Sequence, residues 1–365
     1  MLAVMYSTQA ILPELSHDFG VGAAEAGLTI SVVVICVAAG AWVWGPVSDH
    51  YGRKRTLVAA SALLVPPTLG AALAPTFEAL LVFRALQGFV MPGLLAVGLP
   101  YVAEALVPRH GSRAMGYYIG ALIGGGLVGR VGVALLTTVT GWRLALGLLA
   151  ILPAAGAVVM HCSLLDLPLP ERTPHRWHGI RAHLTNPRLL RATAAGCAFV
   201  FTFVGVFSYV TFRLEEPPFG WDTAQTGLVF SLWALGGLVP FAGQLAERTG
   251  WGRLALGSLG LAAAGVALSF SDAAAVLVLG LAAVALANFA GVMAAQLGVS
   301  EATVVDRGVA SAVYFSIYYT VSALGGYVPG LAWEAWGWNG VAALSLAVTA
   351  LGMAAVSSAA RRPVR

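Results

Sequence analysis

Long apolar runs broken by short polar stretches set the pattern of this chain, and they recur from one end to the other. Each run is close to the roughly 20 residues a helix needs to cross a bilayer. The pattern predicts helical spans near 1–13, 22–44, 56–75, 79–103, 114–138, 143–164, 191–212, 223–246, 253–270, 273–297, 308–333 and 338–359. The runs are continuously apolar rather than alternating, which argues against a β-barrel. One of the twelve is defective. About a dozen residues precede Pro13, too few to cross about 30 Å of hydrocarbon at about 1.5 Å per residue, so the expectation is either a true start upstream or a first span truncated there.

Composition agrees. The chain is 59% hydrophobic and 10% charged with a mean hydropathy of +0.84, whereas an ordinary soluble protein is about one-quarter charged. Its 44 glycines and 18 prolines suit membrane helices, where small residues allow backbones to approach. Gly116, Gly120 and Gly124 form one such face, expected to pack closely. Cys36, Cys162 and Cys197 have no metal-type spacing, and no disulfide, metal or cofactor is expected. Met1 to Leu12 lacks the basic start and cleavage site of a signal peptide.

Charge fixes an expected orientation. Most of the 20 basic residues fall on one side if Asp49 to Arg55 is cytoplasmic, as the positive-inside rule requires. Glu14, Asp18, Glu25, Glu78 and Asp222 then lie outside, and both termini of the full-length protein are cytoplasmic. Trp142, Trp221, Trp333, Trp336 and Trp338 near the outer ends, with Trp42, Trp44 and Trp251 near the inner ones, are placed to form an interfacial belt. Asp166 to Arg191 is polar, basic and rich in proline, dividing the chain into helical bundles over 1–164 and 191–365 with a cytoplasmic linker over 165–190. Trp177 to Leu184 reads as a short surface amphipathic segment. His175, His178 and His183 do not make a metal site, and nothing points to nucleic acid.

The halves repeat. Gly243-Gln-Leu-Ala-Glu247-Arg248-Thr-Gly250-Trp-Gly-Arg253 mirrors Gly45 to Arg55 at an offset of 198 residues, and Ala285 to Phe289 parallels Ala85 to Phe89 at an offset of 200. Parallel repeats of this kind place a transport path between two bundles.

The run Gly45-Pro-Val-Ser-Asp49-His-Tyr-Gly52-Arg53-Lys54-Arg55 resembles the loop between spans 2 and 3 of the major facilitator superfamily, with His50 where the family has Arg. Phe83-Arg84-Ala-Leu-Gln87-Gly88 resembles the span 4 motif of its twelve-span drug/proton antiporters. Gly125-Gly126-Leu-Val-Gly129-Arg130 and Tyr6-Ser-Thr-Gln9-Ala-Ile-Leu-Pro13 resemble the YnfM-like bacterial subgroup, although the span 5 antiporter proline is absent. The resemblance implies an all-α polytopic membrane protein of the major facilitator fold, two six-helix bundles related by a pseudo-two-fold axis, working by alternating access in the inner membrane. It also implies a conformational latch in which Arg53 pairs with Glu104 and Asp49 lies near the start of span 11, with Gly45, Gly52, Lys54, Arg55, Arg113, Glu247 and Arg253 completing it.

Arg84 sits at mid-span, where a guanidinium is costly and faces a cavity or a partner. It is read either as a coupling or substrate residue or as the partner of an acid such as Glu78 or Glu25. Tyr6, Gln9, Gln87, Arg130, Phe199, Phe203, Asn288, Tyr314 and Tyr318 are further cavity candidates, against a packing role for each. The spans carry no acid at mid-depth, so the coupling ion is open. No nucleotide loop or nucleophile with its base is present, which argues against an enzyme. The expected function is proton-coupled export of amphipathic or drug-like small molecules by a monomer. A carrier of an anionic metabolite is the alternative, and a non-transporting membrane sensor or scaffold the third reading.

Overall fold

The computed structural model describes residues 1–107, 111–167, 183–303 and 307–360, and all its regular elements are helical. Two short helices lead, α1 (Leu2–Met5) and α2 (Leu12–Phe19). Ten long apolar helices follow: α3 (Ala23–Tyr51), α4 (Arg53–Ala72), α5 (Phe77–Leu106), α6 (Arg113–Thr140), α7 (Trp142–Ser163), α8 (Pro187–Glu215), α9 (Thr223–Thr249), α10 (Trp251–Leu268), α11 (Ala274–Ala302) and α12 (Val309–Ser357). Non-helical backbone at Trp336 and Gly337 splits α12 into two arms, matching the two spans read from sequence. Residues 168–182, with His175, His178 and nearly all of the expected surface segment, lie outside the described residues; His183 is buried.

Two boundaries differ from the sequence reading. The first segment does not stop at Pro13, because a proline in the first turn of a helix gives up an N–H that has no intrahelical partner anyway; α2 continues to Phe19 and ends at Gly20, in the left-handed region at φ 65°. At the far end of α3 the charged run stays helical to Tyr51, well past position 44, and Gly52 at φ 88° ends it.

The repeat is written in the turns. Gly20 and Gly220 have φ of 65° and 59°, Gly52 and Gly250 of 88° and 82°, and Gly141 and Gly337 of 78° and 58°. These pairs lie 200, 198 and 196 residues apart. A side chain is strained at such angles, so each reversal needs glycine.

The chain forms two compact units. One comprises Met1–Val21, Leu28–Pro174 and Asp222–Ser231; the other Gly22–Gly27, His175–Trp221 and Leu232–Arg365. In the second unit the start of α3 lies on α12. Gly27 abuts the Gly326 carbonyl and the Tyr209 hydroxyl, and Gly330 abuts Ala24. Tyr209 donates to Gly326 O at 2.6 Å, and the Ala24 N–H donates to Glu334 Oε1 at 2.9 Å. A carboxylate at a helix N-terminus meets both free N–H groups and the positive end of the dipole.

Sequence periodicity misassigned two features. Gly116, Gly120 and Gly124 have open space where a Cβ would go, whereas Gly129, outside that face, lies against the Ala3 carbonyl. A small-residue stripe records permission for close approach, and the partner decides where it is used. Likewise Trp44, Trp142 and Trp338 are buried rather than interfacial, their indole N–H groups donating to Phe89 O, Asp18 Oδ2 and Ser269 Oγ.

Candidate functional site

Among the described residues the first unit holds two buried arginines, each 1% exposed. Arg84 projects from α5, whose start is capped by Thr76 accepting from the Ala79 N–H. Its Nε donates to Thr29 O of α3 at 3.0 Å, Nη1 to Val4 O at 2.8 Å and Gln87 Oε1 at 2.7 Å, and Nη2 to Met5 O at 2.6 Å and Thr8 Oγ1 at 3.5 Å. A guanidinium has five N–H donors, and all five are taken.

No acid takes part, so neither Glu78 nor Glu25 is its partner among the described residues. The acceptors come from a break in the first segment. After α1 the backbone leaves the helical region at Tyr6, so the carbonyls of Val4 and Met5 do not find their usual i+4 amides and accept from Arg84, Val4 O also from the Ser7 hydroxyl at 2.9 Å. They also form the negative end of the α1 dipole, where a cation is favoured. Gln87 extends the network to α4, its amide donating to Thr68 Oγ1 at 3.2 Å and Pro67 O at 3.5 Å. Thr29 donates to Thr8 at 3.1 Å.

Arg130 lies in a π-helical turn, Val128–Gly132, within α6. Its Nε donates to Gln9 Oε1 at 2.8 Å and Nη1 to Gly126 O at 3.1 Å, and the guanidinium stacks 4.3 Å over the Tyr6 ring. A second π turn, Val102–Leu106, carries Glu104. Such turns interrupt the regular ladder and recur at functional positions. Here they aim two of the predicted residues.

The charged run is partly assembled. Arg53 grips Glu104 with two bonds, Nε to Oε2 at 2.6 Å and Nη2 to Oε1 at 2.5 Å, the fork geometry that arginine favours. Lys54 reaches Asp166 at 3.3 Å. Arg55, Arg113, Glu247 and Arg253 are exposed, Gly45 has open space beside it, and Asp49 is half-buried.

The second unit presents a different interior. Helix α8 is buried along most of its length. Phe199 occupies the space left by Gly291 of α11. Phe203 meets Phe207, Trp233 and Phe289 at centroid distances of 4.6, 5.6 and 6.2 Å, and Trp233 meets Phe289 at 5.0 Å. Trp233 and Phe289 were absent from the predicted set; a repeat comparison that weighed Phe289, the counterpart of Phe89, would have found one of them. Asn288 and Tyr314 are buried, and the Asn288 Oδ1 and Tyr314 Oη atoms have no hydrogen-bond partner among the described residues. Tyr318 packs beside Tyr314 at 5.6 Å.

A helical membrane fold with an internal repeat, buried cations held by a broken span and a charged inter-span loop defines a polytopic carrier. The family model of the Major Facilitator Superfamily matches residues 1–326, and the chain belongs to that superfamily. It is 28% identical over 352 residues to the uncharacterized MFS-type transporter YybF of Bacillus subtilis, covering 93% of this chain and 85% of that one. It is 29% identical over 346 residues to the inner membrane transport protein YnfM of Escherichia coli, covering 93% and 83%. Its fold matches the crystal structure of the nucleoside transporter NupG, D323A mutant, with a TM-score of 0.82 at 14% identity, covering 99% of this chain and 97% of that one. The protein is therefore a multi-pass membrane transporter of this superfamily, acting on small molecules.

Proposed function

We propose that this transporter exports amphipathic, drug-like small molecules in exchange for protons by alternating access. The observation that carries the substrate reading is the engagement of Arg84. All five of its donors close on protein acceptors, so it offers no vacant fork to a carboxylate or phosphate. That counts against the carrier of an anionic metabolite. The second unit supplies instead an aromatic, uncharged interior around Phe203. Proton exchange is supported by the likeness of Arg84, Gln87 and Gly88 to the drug/proton motif. Arg84, with Gln87, Arg130, Gln9 and Tyr6, then acts by fixing the broken first segment rather than by touching substrate.

In the same reading the bidentate Arg53–Glu104 pair, with Gly45, Asp49, Gly52, Lys54, Arg55, Arg113, Glu247 and Arg253, forms a latch on the face that carries the charged run. A half-exposed ion pair is worth about 1 kcal/mol or less, enough to bias two states without locking either. Asp49→Asn should shift the inward/outward balance, read by labelling of single cysteines; an unchanged balance removes the latch.

The test of function uses efflux-deficient bacteria expressing the full-length chain, loaded with Nile red, which is uncharged, or ethidium, which is a cation. Lower accumulation than in vector controls, restored by a protonophore, is the expected result. Lower accumulation that a protonophore leaves intact would break the proton coupling, and no difference for either dye would break the export reading.

A further inference from the structure

We infer that Phe203, Phe207, Trp233 and Phe289, with Asn288 beside them, form a binding subsite for an uncharged planar aromatic molecule bearing a hydroxyl or amino group. The inference deepens the export reading by naming the class of molecule carried. The four rings come from α8, α9 and α11 and touch one another, with centroids 4.6 to 6.2 Å apart, and a ligand ring would extend this cluster by the same stacking or edge contacts.

Asn288 supplies the polar element. It precedes Phe289 directly and lies one turn before Gly291, which faces the Phe199 ring, so it belongs to the α11 surface that meets α8. The residue is 8% exposed, and its Oδ1 is buried with no hydrogen-bond partner among the described residues. An asparagine kept for helix association would bond across to a neighbour, as Gln87 does to Thr68. A purely apolar core would have leucine there. A buried amide with an unused acceptor is instead a group whose cost is recovered when a partner arrives.

The surroundings specify the rest of the ligand. Val284, Ala285 and Ala287 flank Asn288 on α11 and are buried, so α11 offers no charged side chain there to compensate the desolvation of a charge on the bound ring. One hydroxyl or amino group satisfies the amide, and the ring satisfies the aromatics. Trp233 lies in the ten-residue 3-10 stretch Val229–Leu238 of α9. Runs of this winding beyond three or four residues are uncommon, and inside a helix they often mark a hinge. The wall that carries Trp233 is thus the one built to move and admit a ligand.

The test measures binding directly, by equilibrium dialysis on the purified full-length protein in detergent, with 1-naphthol, naphthalene and cyclohexanol as probes. Wild type should bind 1-naphthol about tenfold more tightly than naphthalene, the gain of one buried hydrogen bond, and should bind cyclohexanol least. Asn288→Leu should bind both bicyclic probes equally, while unfolding without ligand at the same temperature or about 2–4 °C higher, because an unsatisfied amide has been removed. Trp233→Ala should weaken both bicyclic probes alike. The inference is overturned by equal wild-type binding of 1-naphthol and naphthalene, by a preference that survives Asn288→Leu, or by a drop in the ligand-free unfolding temperature of that variant, which would mark the amide as structural. Binding in the expected pattern without dye export would sink the export reading alone; dye export without 1-naphthol binding would sink this inference alone.

Discussion

In the first unit Arg84 and Gln87 close on protein: Arg84 on three carbonyls, a glutamine and a threonine, Gln87 on Thr68 and Pro67. In the second unit Asn288 and Tyr314 are just as buried, yet an oxygen of each lacks any such partner among the described residues. The contrast is between these particular groups, since the hydroxyls of Ser48 and Thr137 in the first unit also have no hydrogen-bond partner among the described residues. It teaches a division of labour. A saturated network resists deformation, because every movement breaks a bond that water cannot replace, whereas an unsaturated aromatic interior has something to gain from a guest.

The harshest way to break the comparison is Arg84→Lys. Lysine keeps the charge but brings three donors instead of five and no planar fork, leaving buried carbonyls unpaired. A loss of about 3 kcal/mol or more is expected, seen as a lower unfolding temperature by intrinsic fluorescence; wild-type stability would mean that charge, not donor count, holds the site. Next is Gly129→Ala, whose Cβ would overlap the Ala3 carbonyl and should cost about 1–3 kcal/mol. Its partner experiment, Gly124→Ala, enters open space and should gain up to about 1 kcal/mol from helix propensity. Equal effects of the two in denaturant titrations would show that the first segment does not dock as described. The smallest effect belongs to the second unit. Tyr314→Phe removes a hydroxyl without a partner, so stability should hold or rise by about 1 kcal/mol, and a clear loss would reveal a bond that closes in another state.

Hydropathy made the spans legible because a bilayer leaves few ways to satisfy a backbone. The turn glycines at 52 and 250 were legible through the repeat. Arg84 was legible as exceptional, but its partners were not, since backbone carbonyls freed by a helix break leave no mark in residue identity. The expectation of an acid nearby followed from counting side chains alone. The reach of α3 to Tyr51 was hidden for a related reason: polar composition signals where a helix leaves the hydrocarbon, not where it stops being a helix.

The winding of α9 has a mechanical side. Most of α8 is buried against protein, while little of α9 is, so α9 has fewer contacts to hold its winding fixed. Ten residues passing from 3-10 winding, at about 2.0 Å per residue, to α winding, at about 1.5 Å, shorten a helix by about 5 Å. Membranes of different composition differ in thickness by a few ångströms. Residues Val229–Leu238 thus give this span a length it can trade, a spring set against the bilayer with a tryptophan mounted on its coil.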